Sequence, residues 1–448
     1  MSELDGVLEG LLGWSAAAVA LFLIVRAPIV GVCLLIFLSP LKTLPGTYGT
    51  ITVAKVVGAV TLAVVLLRLI IDRGRVRLTH CELPLVMVVL VLVLAIGGSP
   101  NPERDANFLL SYLTLFFLVF LIVNAARTPR ELHWVGCAFL GSILLPVISA
   151  LMQGMVGEDM FGVTPYRGTS RVRGTFSGPN GLGLLLACGG TYCFAFLSMA
   201  WDRLRLSRKL LGTLFFLSML WAAFYTQSRT ELLCLLAGLL YVFLRLPTER
   251  LFNPLGWRPK RARLALCVLT LAAGGGYIVY QSALWQERLT KLTGILEEGG
   301  TSTETRLNDV EFAWKSALSN PEFALLGPGL GAHRALAAQV RGERMALSGV
   351  PHNIVLHFFV MGGVIGLLAL ALVVRALWIH ASFSIVLASQ APDVIGWHWF
   401  AAWATLVASI PALILQGAAM SNEIWLLTAI AFLGKNLATE HARQALAG

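Results

Sequence analysis

Apolar runs separated by short polar segments follow one another along most of the chain. The clearest runs lie near residues 50–71, 83–98, 107–126, 132–154, 180–201, 209–227, 230–246, 263–281, 353–376, 396–417 and 422–436. Residues 9–41 form a further apolar stretch, interrupted by Arg26 and Pro28, which fits two short crossings, one kinked crossing or a crossing with a re-entrant piece. A membrane-spanning helix needs about 20 apolar residues, so the pattern predicts about 12 or 13 crossings.

Composition excludes a soluble globular protein. Of the 448 residues, 57% are hydrophobic and only 13% are charged, whereas a soluble domain has about 25% charged residues. About 12 crossings of about 20 residues each use nearly all of the apolar content. We therefore predict an all-α polytopic membrane protein with about 12 transmembrane helices and one large loop.

The net charge of +10 becomes informative once it is divided between the two sides of the membrane. Lys and Arg crowd four connecting segments, which the positive-inside rule places in the cytoplasm: residues 73–77, 127–130, 203–209 and 245–263. The resulting topology has three parts. Residues 1–281 form about 10 transmembrane helices, and residues 282–352 form a large periplasmic loop. Residues 353–448 form the C-terminal transmembrane helices and a short cytoplasmic tail. Within the loop, apolar positions at helical spacing predict an amphipathic helix over residues 303–319.

Arginines on the predicted outer face break the positive-inside rule. Arg229 stands in a turn of a few residues between two apolar runs. It is a snorkelling arginine, a partner of Glu231, or a fixed cation for an anionic ligand. Because several arginines share this side, we favour the ligand.

A second group, Arg171 and Arg173, precedes the crossing that begins near Asn180. Ser177 is placed to cap that helix, and Pro179 suits its first turn. The segment is a helix entrance and, because the positive end of a helix dipole favours anions, also a candidate anion site.

A third group begins with His352 and Asn353, at the outer start of the crossing at 353–376. The histidine is a cap or interface residue, or a base, because a positive helix end favours the neutral imidazole. Gly362 and Gly366 stand four apart, which indicates close helix packing. Three helix starts, each with an Arg or a His beside it, together with Arg306 on the loop helix predict an oxyanion pocket. Such a pocket suits pyrophosphate, since Arg binds phosphate oxygens in bidentate fashion.

These motifs resemble those of the O-antigen ligase family of bacterial inner-membrane proteins, which also includes O-antigen polymerases and oligosaccharyltransferases. The resemblance covers about residues 165–370. It rests on Arg173-Gly174-Thr175-Phe176 with Pro179-Asn180, Ser228-Arg229, Arg306 with Trp314, Gly327-Pro328-Gly329-Leu330-Gly331, and His352-Asn353 followed, after nine residues, by Gly363-x-x-Gly366.

The resemblance implies a metal-independent, inverting glycosyltransferase of the multi-membrane-spanning (GT-C) type, with its active site on the periplasmic face of the inner membrane. Its donor is O-antigen on undecaprenyl pyrophosphate, and its acceptor is a terminal sugar of lipid A-core. By position, the base is His352, the pyrophosphate ligands are Arg229, Arg306 and Arg173, and the supporting residues are Asn353, Asn180, Gly363 and Gly366. Membrane lipids surround such an enzyme, and the resemblance implies no nucleic acid, cofactor or metal. The outer face has no Asp-x-Asp, which disfavours a metal-dependent oligosaccharyltransferase, and the chain has no Walker A loop, which argues against ATP hydrolysis.

Two alternatives to a ligase stay open. A polymerase or related transferase would use the same lipid-linked donor with a different acceptor. A transporter of a lipid-linked or polyanionic substrate would have charged residues deep in its crossings, or helices broken at the midplane. Few charges lie inside the apolar runs, where Lys55 and Arg68 stand near the ends, so the transporter is disfavoured.

Overall fold

The computed structural model is built from helices. It describes residues 18–41, 53–72, 76–77, 82–99, 101–165, 171–176, 178–245, 310–311, 315, 321–331, 353–390, 393–416 and 421–447, and these contain no β-strand. In chain order the helices are α1 (18–26), α2 (Pro28–Leu38), α3 (Val53–Ile71), α4 (Glu82–Gly98), α5 (Pro102–Ala125), α6 (Pro129–Ser142), α7 (Leu144–Val156), α8 (Pro179–Ala200), α9 (Leu206–Thr226), α10 (Arg229–Arg245), α11 (Pro321–Leu326), α12 (Ile354–Gln390), α13 (Asp393–Ala408), α14 (Ile410–Gln416) and α15 (Asn422–Ala447). The predicted all-α class is confirmed for this part of the chain.

Seven helical stretches among the described residues are long and apolar enough to cross a membrane. They are Val53–Ile71, Pro102–Ala125, Pro129–Val156, Pro179–Arg203, Leu206–Thr226, Ile354–Ile379 and Val394–Leu415. The helices α2 and α4 are apolar but shorter. The predicted count of about 12 is therefore not confirmed, and the predicted crossing at 263–281 and most of the predicted loop lie outside the described residues.

Several helix starts follow the sequence signals for capping. Thr128 and the side chain of Glu131 form a reciprocal capping box at the start of α6, and Asn101 accepts a hydrogen bond from the Arg104 N–H at the start of α5. Pro179 occupies the first turn of α8 as predicted. Ser177, which was predicted to cap α8, lies outside the described residues, and the residue at the N-cap position of α8 is Gly178.

Two of the predicted crossings are interrupted. The run at 132–154 forms α6 and α7 with a break at Ile143, and the run at 396–417 forms α13 and α14 with a break at Ser409. Pro146 and Pro411 stand two or three residues beyond the breaks. A proline has no N–H for the preceding turn, and its ring clashes with the carbonyl four residues back, so each helix restarts there.

The ambiguous stretch 9–41 is described from residue 18 onward. The helices α1 and α2 are separated at Ala27, whose backbone is extended, and Pro28 begins α2. The Arg68 guanidinium, near the end of α3, donates to the carbonyl oxygens of Val25 and Arg26 at 2.9 and 2.7 Å. These bonds use the carbonyls that the break leaves without helical partners.

One buried core joins α8 to most of the other helices. Helices α8 and α10 run parallel, because Gly183 lies against Glu231 near their starts and Gly190 lies against Leu235 further along. Parallel packing places the two N-termini at the same end of the bundle.

The other end of the bundle is tied by Arg77. Its guanidinium donates to the Ala126 carbonyl at 2.8 Å and forms a salt bridge of 2.8 Å with Glu440, and its N–H donates to the Asn124 side chain. Arg77, the end of α5 and the C-terminal part of α15 thus lie together.

Candidate functional site: the starts of helices α8, α10 and α12

The Gly327-Pro328-Gly329-Leu330-Gly331 segment, called the glycine turn below, packs into a break in α12. Helix α12 is not helical at Gly362 and Gly363, where φ is −156° and +56°. The Gly329 N–H donates to the Val360 carbonyl at 3.0 Å, which supplies a partner beside the break. Leu330 is fully buried in a second core formed by α4, α5 and α12. Non-helical backbone inside a membrane bundle is tolerated where protein covers it, as here.

Close backbone approach explains the glycines of the predicted motif. A Cβ at Gly327 would lie 2.6 Å from the Val360 oxygen, and a Cβ at Gly363 would lie 2.5 Å from the carbonyl oxygens of Ala324 and Leu325. A Cβ at Gly366 would collide with the Phe358 carbonyl oxygen. The close helix packing predicted from Gly362 and Gly366 is found at Gly362, which lies against Val91 of α4, whereas Gly366 lies against the backbone of α12 itself and Gly363 lies against the end of α11.

A Gly363→Ala substitution is expected to lower the free energy of unfolding by about 2–5 kcal/mol. The left-handed φ costs about 1–2 kcal/mol for a residue with a Cβ, and the overlap with Leu325 costs about 1–3 kcal/mol more. Gly157→Ala is the control, because Gly157 has φ of +93° and open space around a new Cβ. Denaturant unfolding in detergent should show the larger loss for Gly363, and equal losses would contradict the packing explanation.

The segment Arg171–Phe176 runs between helix ends and is held on both sides. The Gln153 side chain accepts from the N–H groups of Arg173 and Gly174, both at 3.0 Å. The Val172 N–H donates to the Tyr225 carbonyl at the end of α9, and the Thr175 hydroxyl donates to the carbonyl of Pro40 after α2. These contacts fix the segment beside the start of α8.

Arg171 joins two helix ends directly. Its Nε donates to the Thr226 carbonyl at 3.1 Å, and its terminal nitrogen donates to the Asn180 side chain at 2.9 Å. Arg173 donates from Nε to the Thr164 carbonyl at 3.0 Å and is half-buried. Arg171 therefore links Asn180 at the start of α8 to Thr226, which stands three residues before Arg229, and Arg173 lies two residues further along the same segment.

Arg229 is exposed at the first residue of α10. Glu231 is buried against Gly183 of α8, and the ion pairs of the described residues do not join these two side chains. The interpretation of Arg229 as the partner of Glu231 thus gains no support. Its backbone is set by a short turn in which Gln227 has a positive φ of 54° and the Ser228 N–H donates to Thr226 Oγ1.

Asn353 caps the start of α12. Its side-chain oxygen accepts from the N–H groups of Val355 and Leu356 at 2.8 and 3.3 Å. The other two predicted centres, His352 and Arg306, lie outside the described residues. Of the predicted amphipathic helix at 303–319, residues 310, 311 and 315 are helical, and Lys315 pairs with Glu311 at 2.7 Å.

An apolar groove begins beside Asn353. Ile354 lines it together with Ile424 and Trp425 from the first turn of α15, and it continues between α4, α5, α12 and α14. Its wall is hydrocarbon apart from a few polar groups, among them the Tyr112 hydroxyl and Thr428. The start of α15 is joined in turn to the end of α2, where Asn422 donates to the Ser39 hydroxyl at 3.2 Å.

The comparison with known families identifies the stretch that contains Arg229, Arg306, the glycine turn, His352 and Gly363. Residues 214–371 match the family model described as O-antigen ligase. This region belongs to the O-antigen ligase family. No curated protein matches the chain closely enough to count as a relative.

The O-antigen ligase match begins at residue 214, whereas the resemblance was traced from about residue 165. The segment with Arg173 and Asn180 therefore stands outside the match, although the structure packs it against α9 and α10. Members of the matched family are glycan ligases or polymerases, and the match supports enzyme activity in general.

Sequence reasoning missed the groups that hold the site in place. Gln153 and Asp159 form a buried pair beneath Arg173, with 3.1 Å between Gln153 Nε2 and Asp159 Oδ2. His357 Nε2 lies 2.9 Å from the Tyr112 hydroxyl, and both residues are fully buried. Polar residues inside apolar runs were the available signal, since a buried polar group needs a partner.

Proposed function

We propose that the protein transfers a glycan from a polyprenyl pyrophosphate, undecaprenyl pyrophosphate in bacteria, to a sugar hydroxyl of lipid A-core at the outer face of the inner membrane. The observation that carries the proposal is the grouping of Arg171, Arg173 and Arg229 at the adjacent starts of α8 and α10. Helix starts direct N–H groups and a partial positive charge at an anion, and arginine stays charged at every physiological pH. Arg173 bonds a neutral carbonyl and Arg229 is exposed, which leaves both able to bind phosphate oxygens.

The proposed reaction needs a base more than an acid. The acceptor hydroxyl oxygen attacks the anomeric carbon, the bond from that carbon to the pyrophosphate oxygen breaks, and the hydroxyl proton passes to His352. Polyprenyl pyrophosphate leaves as an anion that Arg229, Arg306 and Arg173 stabilise. A single displacement of this kind inverts the anomeric centre.

The apolar groove beside Asn353 supports a lipid-linked donor. A polyprenyl chain needs a hydrocarbon surface that starts close to the phosphate ligands, and Ile354 begins such a surface one residue after Asn353. We place the chain of the donor in this groove, with its pyrophosphate at the helix starts.

A transporter is the second candidate, because α12 is broken within its apolar span, as transporter helices often are. The break is occupied by the glycine turn of the same chain, and Gly362 and Gly363 are buried. That packing favours a structural role for the break over a substrate site.

Reconstitution in liposomes separates the candidate functions. Purified protein is supplied with glycan-bearing undecaprenyl pyrophosphate and offered lipid A-core or a second donor molecule as acceptor, without ATP and with EDTA. A ligase is expected to elongate only lipid A-core, whereas lengthening of the donor glycan would indicate a polymerase. Movement of donor between leaflets without any new glycosidic bond would replace the proposal with a transporter.

A further inference from the structure

Asp105 is a buried acid in the first turn of α5. Its side chain is fully buried. The Oδ1 atom accepts a hydrogen bond of 2.8 Å from the Gly331 N–H, and the Leu330 N–H and the Ser99 hydroxyl also face the carboxylate. Successive backbone N–H groups directed at one carboxylate form a small anion-binding nest.

The glycine turn closes around this carboxylate at a distance that only glycine allows. A Cβ at Gly329 would lie 2.6 Å from Asp105 Oδ2, and a Cβ at Gly331 would lie 2.9 Å from the same atom. A Cβ at Gly331 would also lie 2.7 Å from the Asn101 carbonyl oxygen. The first turn of α5 and the glycine turn thus form one packed unit.

The opposite side of the same turn holds the N-terminal segment of α12, residues 354–361, which precedes the break. Gly329 donates to the Val360 carbonyl, so one residue contacts both Asp105 and α12. The break at Gly362 interrupts the helical hydrogen bonds, and the rest of α12 therefore does not fix this segment by itself. The segment follows Asn353, and the contact of His357 with Tyr112 is its second tie to α5.

We infer that Asp105 is a positioning residue, which fastens the glycine turn to α5 and thereby sets the place of residues 354–361, the helical segment that follows His352 and Asn353 in the sequence. The inference rests on the proposed transferase function. An asparagine at this place would keep one oxygen that accepts a hydrogen bond from the Gly331 N–H. Its NH2 group, however, donates where the second oxygen of Asp105 stands, and so faces the N–H groups of the turn less favourably.

Two measurements on Asp105→Ala test the inference. Hydrogen exchange should quicken in residues 327–331 and 354–361 and stay unchanged in 364–379. In the transfer assay, kcat should fall about 10- to 100-fold, because small displacements of a base have effects of this size. The donor KM should change by less than about 3-fold, since no group that binds the donor is removed. Asp105→Asn keeps one acceptor oxygen and should fall between wild type and Asp105→Ala in both measurements.

Matched variants separate positioning from general damage. Glu103→Ala removes an exposed acid from the same helical turn and should behave as wild type. Gly331→Ala presses a Cβ onto the same carboxylate and should reproduce the Asp105→Ala pattern. Wild-type exchange and wild-type kcat in Asp105→Ala would overturn the inference. If Asp105→Ala does not fold, the inference would be overturned by wild-type exchange and wild-type kcat in both Asp105→Asn and Gly331→Ala.

Failure of the proposed function gives a different result. The exchange measurement needs no substrate, so faster exchange in Asp105→Ala supports the anchor by itself. If that result accompanies a wild-type protein that transfers no glycan, the anchor stands and the transferase proposal fails.

Discussion

A His352→Ala variant is expected to lose nearly all glycan transfer while it still binds the lipid-linked donor. General base catalysis contributes about 10²- to 10⁴-fold to a rate, so we expect kcat to fall by that range. His352 directly precedes Asn353, whose side chain caps α12. A neutral imidazole at a positive helix end can accept the proton of the acceptor hydroxyl. The pyrophosphate ligands are untouched, and donor affinity should stay within about 3-fold of wild type.

The measurement is single-turnover transfer to lipid A-core, with donor binding determined separately. His333→Ala is the control, because it removes another histidine from the same predicted loop. Transfer by His352→Ala at a rate near wild type would show that the base is a different group. A loss of donor binding equal to the loss of transfer would instead make His352 a donor ligand.

The sequence predicted the helices well, because each apolar run must satisfy its own backbone hydrogen bonds inside a membrane. It did not predict that runs 132–154 and 396–417 each divide into two helices. Pro146 and Pro411 were visible, but proline is tolerated within transmembrane helices, so its presence does not by itself predict a division into two helices. Among the described residues, seven stretches are long and apolar enough to cross a membrane. Two other predicted crossings are not among them: α10 has only 17 residues, and the helix over 422–436 contains polar residues such as Glu423 and Lys435.

The residues of the candidate site were likewise predicted only in part from the sequence. Arg173, Arg229 and Asn180 could be named from the sequence, because cations on the outer face break the positive-inside rule. Their neighbours could not, since contacts such as Arg171 with Thr226 join positions 55 residues apart. Asp105 was hidden for another reason. An acid in a first helical turn is ordinary, and only the fold shows that Gly331, 226 residues away, donates to it.

The second large effect is expected at Arg229. Removal of one preorganised donor from a developing anion costs about 10²- to 10³-fold in kcat, and Arg229→Ala should show a loss of this size together with weaker donor binding. Arg229→Lys should recover little, because an ammonium lacks the planar fork that makes two parallel bonds to a phosphate. Arg229 is exposed at the start of α10, so neither substitution removes buried packing.

Arg245→Ala is the matched control, because Arg245 is an exposed arginine at the other end of the same helix. It makes the same change in net charge but, in the predicted topology, on the cytoplasmic face, and its transfer rate should equal that of wild type. Donor titration and initial rates on the three variants measure the effect. If Arg229→Lys performs like wild type, a point charge is sufficient and bidentate binding is wrong. If Arg229→Ala also keeps its donor affinity and kcat, the pyrophosphate does not lie at the start of α10, and the helix starts around Arg171 and Arg173 lose the anion that we assign to them.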